Sequence, residues 1–134
     1  GTNAGWAYNN FPYMGDNLLP PILLNENLYT VSKLFNDIGF IQFFHRLLAT
    51  LTLIYVLITF FHLFKSKLKA IYFLASLVAI IAISQYLLGI IMLKLFVPIH
   101  LGLSHQLGSL ILLSSLIITK CEIIKKRAIN RPSF

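Results

Sequence analysis

The stretch GFIQFFHRLLATLTLIYVLITFFHLF, Gly39 to Phe64, decides the fold. Its 26 residues are almost unbroken apolar sequence, long enough to cross a bilayer as a helix. A histidine and an arginine, His45 and Arg46, interrupt it where ionisable groups are costly. Two further apolar runs follow, Ala70 to Leu93 and Leu101 to Thr119, each close to the length of a spanning helix. At that depth the backbone must satisfy its own hydrogen bonds, so helices are the conformation these segments adopt. The composition agrees. Of 134 residues, 57% are hydrophobic and 11% charged, with a mean hydropathy of +0.80; a soluble domain carries about 25% charged residues. The expected class is an all-α integral membrane protein, a helical bundle with three complete spans over about 38–64, 70–93 and 99–119.

The net charge of +7 is sorted by side rather than gathered on a nucleic-acid-binding face. Lys65, Lys67 and Lys69 fill the first connection, and Lys120, Lys125, Lys126, Arg127 and Arg131 follow the third span. The second connection holds only Lys94. The positive-inside rule then places residues 1–37 outside, the Lys65–Lys69 turn inside, the Lys94–His100 turn outside and the basic tail in the cytoplasm. The expected partner of these surfaces is the lipid bilayer, with no nucleic acid. The Ile-, Asn- and Lys-rich composition suits an AT-rich bacterial genome, hence a bacterial plasma membrane, with a mitochondrial inner membrane as the alternative. Cys121 is the only cysteine, which rules out an internal disulfide and a cysteine-based metal cluster.

Within residues 1–37, Trp6, Tyr8, Phe11 and Tyr13 have the composition of a membrane–water interface. Pro20 and Pro21 break any helix there, and NLYTVSKLFNDIG beyond them suits a short interfacial amphipathic helix. Asp37 is placed to cap the first span, and Pro98 stands where the third begins. In the second span Ala75, Ala79, Ala82 and Gly89 recur at helical spacing, a small-residue seam for close helix approach. Gln85 beside it is expected to hydrogen-bond between helices.

His45 lies about 12 Å along the first span and His105 about 10 Å along the third, counting 1.5 Å per residue from the same side of the membrane. Two histidines on separate helices at matching depth make a pair. Ala49 and Thr52 lie beyond His45, while Gly102, Gly108 and Ser109 flank His105, leaving room for a large flat ligand. The residues alone leave three readings open: axial ligation of a heme iron by both imidazoles, a polar contact between helices, or another metal or proton relay. Arg46 either pairs with heme propionates or snorkels to the interface. His62 and His100 fall near opposite ends of spans and are left out of the ligand set. No carboxylate lies inside a span, which disfavours a proton pump or a cation-coupled transporter.

Four motifs, in order, resemble the C-terminal half of the heme A synthase family of cytochrome oxidase assembly factors. AGWAYNNFPYMGD is similar to the family's AG-x-x-YN-x-FP-x-M segment, and NDIGFIQFFHRLLA to its QF-x-HR signature. SQYLLGIIML resembles its Q-x-x-LGI stretch, and VPIHLGLSHQLGSLIL its proline-to-HQ region. Together they cover most of residues 3–113, and the HR and HQ pairs are the specific part. The resemblance implies that His45 and His105 are axial ligands of a heme b cofactor, and Arg46, from its place at the outer end of its span, is the expected propionate partner. It implies oxidation of a ring methyl of heme O to a formyl group, giving the heme A of cytochrome c oxidase. It further implies that heme O is held by an N-terminal half missing here, and that heme O synthase and other oxidase assembly factors are partners. The chain is then expected to be a truncated four-helix half, inactive alone. A non-enzymatic bis-histidine b-type cytochrome and a cofactor-free scaffold are the rival readings.

Overall fold

The computed structural model describes residues 4–24, 31–64 and 69–129. A 3-10 turn at Ala4–Trp6 opens the chain, followed by the short helices α1 (Pro21–Leu24) and α2 (Val31–Asn36). Three long helices follow: α3 (Ile38–Phe64), α4 (Lys69–Lys94) and α5 (Ile99–Ile129). All three are long and apolar enough to cross a membrane, and no strand is formed among the described residues. The protein is an all-α bundle of the membrane class. Of the stretch expected to form an interfacial helix, residues 31–36 are helical, whereas 27–30 lie outside the described residues, as do Lys65, Lys67 and Arg131.

Local chemistry sets the helix ends. Asp37 caps α3, its carboxylate accepting the Phe40 N–H at 2.6 Å. Pro21 opens α1 at the first helical position, where a missing N–H costs nothing. At the far end of α4, the Val97 N–H donates to the Met92 carbonyl at 2.9 Å and the Phe96 N–H to that of Leu93 at 3.1 Å. This is a Schellman closure, with Phe96 at φ 59° in the place glycine usually takes. The Pro98 carbonyl then starts α5 by accepting the Gly102 N–H at 3.0 Å. α5 outlasts the apolar run that ends at Thr119, continuing through Lys120 to Ile129, a segment with no proline or glycine to stop it.

α4 is the central helix, packed against both α3 and α5. It buries 22% of its most apolar window, against 6% for each neighbour. The seam expected on α4 is the contact: Ala75, Ala79 and Ala82 are buried, and Ala79 and Ala82 join Val56 and Val78 in a core ringed by Leu53, Phe60, Leu112 and Leu116. That core lies toward the Lys69 end of the bundle. Tyr55, Phe61, Phe73 and Leu107 point outward and are exposed, the arrangement of a chain whose solvent is hydrocarbon.

Candidate functional site

Toward the Asp37 end, residues of α3, α4 and α5 line a cleft of about 550 Å³. His45 and Arg46 on α3, Gln85, Tyr86 and Gly89 on α4, and His105 and Ser109 on α5 line it. The volume falls within the range of cofactor sites, about 300–1,000 Å³. A larger depression of about 730 Å³, near Asn9, Asp16 and Lys94, is more open and contains no histidine. Chemistry therefore concentrates in the smaller cleft.

The fold brings the two histidines together. Their ring centroids are 6.4 Å apart with planes at 73°. His105 is half-buried while His45 is exposed into the cleft, an ionisable side chain in mid-span with open space before it. Gly89 faces His105 across the α4–α5 contact, and a Cβ there would come within 3.3 Å of the imidazole Cε1. The glycine is what lets the ring lie against α4. Among the residues expected beside the pair, Ala49, Thr52 and Ser109 line the cleft, and Gly108 receives the Gln85 amide. Gly102 does not participate: a Cβ there would meet nothing within 4 Å. His62 and His100 are exposed and stand outside the cleft. Gln85 packs against α5 at Gly108, but its Oε1 does not form the expected hydrogen bond between helices and has no partner among the described residues.

Arg46 is engaged in a way the sequence did not disclose. Its Nη1 donates to the Tyr13 carbonyl at 3.1 Å and its Nη2 to that of Tyr8 at 2.8 Å, and its guanidinium lies 5.9 Å from the Phe11 ring centroid. Nε remains without a partner among the described residues. One turn earlier, Gln42 is 4% exposed and grips the same segment. Its Oε1 accepts the Tyr8 N–H at 3.1 Å, and its Nε2 donates to the Gly5 and Tyr8 carbonyls at 3.3 and 3.0 Å. These two side chains strap residues 5–13 over the mouth of the cleft, where Gly5 and Phe11 form part of its lining. Gln42 is the site residue that sequence reasoning missed. The signal was available, since a glutamine inside an apolar span is costly unless it is paired. Tyr86 completes this end: its hydroxyl is 3.0 Å from Thr50 Oγ1, and its ring meets Phe11 edge-on at 6.4 Å. Thr50 spends its own proton on the Arg46 carbonyl at 2.9 Å, so Tyr86 is the donor between the two hydroxyls.

Heme fits these residues on the spacing of the two imidazoles. Two metal–nitrogen bonds of about 2 Å, with the rings beyond them, separate coaxial imidazole centroids by about 6 Å, matching the 6.4 Å found. No cluster of three or more His, Cys, Asp or Glu side chains suited to a metal ion occurs among the described residues.

Comparison with known proteins points the same way. The family model described as "COX15-CtaA: Cytochrome oxidase assembly protein" matches residues 1–117. Among curated relatives, a heme A synthase of Rickettsia prowazekii (strain Madrid E) is 38% identical over 117 residues, covering 87% of this chain and 34% of that protein. One from Wolbachia sp. subsp. Brugia malayi (strain TRS) is 36% identical over 126 residues, covering 94% and 36%. One from Pelagibacter ubique (strain HTCC1062) is 39% identical over 115 residues, covering 86% and 33%. The chain spans about a third of the length of these relatives. No solved structure matches it. With a family match across most of its length and relatives bearing one name, the chain belongs to the COX15-CtaA family of cytochrome oxidase assembly proteins.

Proposed function

We propose that this chain is the heme b-holding portion of a heme A synthase, with His45 and His105 as the two axial ligands. The observation that carries the proposal is the pair of imidazoles 6.4 Å apart across a cleft of cofactor size. Each histidine would present Nε2, and bound heme supplies one-electron transfer to the reaction. The chain's own residues do the rest. Gly89 admits the His105 ring, Leu53, Leu112 and Phe11 exclude water, and the small side chains Ala49 and Ala82 leave room between the helices. Arg46, with Nε unspent, is the propionate partner in this reading, and its bonds to Tyr8 and Tyr13 hold it at the mouth.

The substrate in this reading is heme O, bound by the remainder of the full-length protein, and the reaction converts a ring methyl to the formyl group of heme A. Heme O synthase and oxidase assembly factors are the corresponding partners. In this reading the membrane is the plasma membrane of a bacterium, with residues 1–37 outside and the basic tail inside.

The test is the optical spectrum of the full-length protein in detergent, oxidised and reduced, beside His45→Ala and His105→Ala. A low-spin b-type signal that each substitution abolishes or converts to high spin is the expected result. Undiminished low-spin heme in both variants sinks the assignment, and a wild-type protein without heme favours the scaffold.

A further inference from the structure

The contact between α4 and α5 beside His105 encloses two buried polar side-chain atoms. His105 Nδ1 and Gln85 Oε1 are both buried, and neither has a hydrogen-bond partner among the described residues. They belong to one seam. The imidazole Cε1 lies 3.3 Å from a Cβ built on Gly89, and Gln85 is one helical turn before Gly89. The Gln85 amide in turn sits against Gly108 with its nitrogen end nearest, its Cδ 2.6 Å and its Oε1 3.0 Å from a Cβ built there, and Gly108 is one turn beyond His105. Amide and imidazole are therefore neighbours along the same antiparallel contact. Within an apolar span, an enclosed donor and an enclosed acceptor without partners are costly, and there is no water to relieve them. An imidazole that ligates through Nε2 carries its proton on Nδ1 and must place it on an acceptor. The Gln85 carbonyl oxygen is such an acceptor, and it is unspent.

We propose that Gln85 is a positioning residue for His105. Its Oε1 accepts the Nδ1–H, fixes the tautomer that leaves the Nε2 lone pair free, and makes that nitrogen more basic. Gly108 belongs to the same device, because any side chain there displaces the amide from the seam. The inference rests on ligation of heme by His105, as proposed above.

The experiment is a redox titration of the bound heme in the full-length protein, comparing wild type with Gln85→Leu, Gln85→Glu and Gly108→Ala. A more basic ligand stabilises ferric iron, so loss of the acceptor raises the midpoint potential. Gln85→Leu, of similar size but without an acceptor, is expected to raise it and to weaken heme affinity by about 10–100-fold. Gln85→Glu restores an acceptor and is expected at the wild-type potential or below it. Gly108→Ala, which keeps the glutamine but pushes it aside, is expected to raise the potential as Gln85→Leu does, and it decides the matter should Gln85→Leu fail to accumulate. A helix contact without this hydrogen bond would leave all four potentials equal, and that result overturns the proposal. His105→Ala separates the two levels. Wild-type heme binding in that variant removes the ligand assignment itself, whereas lost binding there with equal potentials elsewhere removes only the role of Gln85.

Discussion

Replacing Gln42 with leucine keeps the bulk of the side chain and deletes three hydrogen bonds to the strap over the cleft. The Tyr8 carbonyl retains Arg46 Nη2 at 2.8 Å, so two backbone groups, the Tyr8 N–H and the Gly5 carbonyl, lose their partner. At about 1 kcal/mol for each partly buried bond, docking of the strap weakens by about 2 kcal/mol. One decade in an equilibrium corresponds to about 1.4 kcal/mol, so the open strap becomes about 30-fold more populated. Hydrogen–deuterium exchange of the full-length protein in detergent reads this directly, because the Tyr8 amide proton is the one given to Gln42. Exchange at Tyr8 is expected to accelerate by about 30-fold in Gln42→Leu. Gln42→Glu keeps the acceptor for Tyr8 but cannot donate to Gly5, and should fall between. The α4–α5 core around Ala79 should exchange as in the wild type, since the strap does not touch it. A Tyr8 amide that exchanges at the wild-type rate in Gln42→Leu would refute the reasoning, and the clamp would then be a contact without energetic weight.

Gly89→Ala places a methyl group 3.3 Å from His105 Cε1, so the ring must shift by a few tenths of an ångström. Bound heme is expected to lose part of its low-spin absorbance, whereas Gly102→Ala, with nothing within 4 Å, should leave the spectrum unchanged. Thr50→Val removes the acceptor for the Tyr86 hydroxyl and should lower stability by about 1 kcal/mol, read as a drop in the thermal midpoint. Ala79→Leu overfills the core beside Val56 and Ala82 and should cost about 1–3 kcal/mol. Leu77→Ala, on the exposed face of the same helix, should cost far less in the same thermal assay.

The three spans were legible because hydrocarbon permits no other solution for runs such as Gly39–Phe64 and Ala70–Leu93. The N-cap at Asp37 and the alanine seam of α4 were legible for a related reason, since each is a local signal with one structural meaning. The pairing of His45 with His105 followed from depth alone, because parallel spans place equal counts of residues at equal heights. What escaped were the contacts that the chain outside the spans makes with them. Nothing in NDIGFIQFFHRLLA says that Gln42 and Arg46 face the backbone of residues 5–13 rather than lipid or ligand. Their partners are main-chain groups, which have no sequence signature, and a contact 33–38 residues away leaves no periodic trace. The length of α5 escaped for a different reason. Hydropathy stops at the membrane surface, while helix propensity through Lys120–Ile129 does not.

The bundle divides its labour along its length. Toward the Lys69 end, Val56, Val78, Ala79 and Ala82 close the three helices on one another in an apolar core. Toward the Asp37 end the same helices are held apart, and every polar side chain of the spans that matters to the site gathers there: Gln42, His45, Arg46, Thr50, Gln85, Tyr86 and His105. Leu53, Ala82 and Leu112 belong to both regions, so the packed core is also the floor of the cleft. A cleft between helices closes up unless something resists, because apolar side chains gain dispersion contacts by filling it. Here the closed end fixes the helix spacing from below, and the strap pinned by Gln42 and Arg46 braces it from above. The two imidazoles are thus held 6.4 Å apart by the packed core on one side and the strap on the other. This makes the strap the more informative target. A heme that holds the helices apart by itself would survive Gln42→Leu with its spectrum intact, whereas a cleft preorganised by the strap would lose affinity as the strap opens.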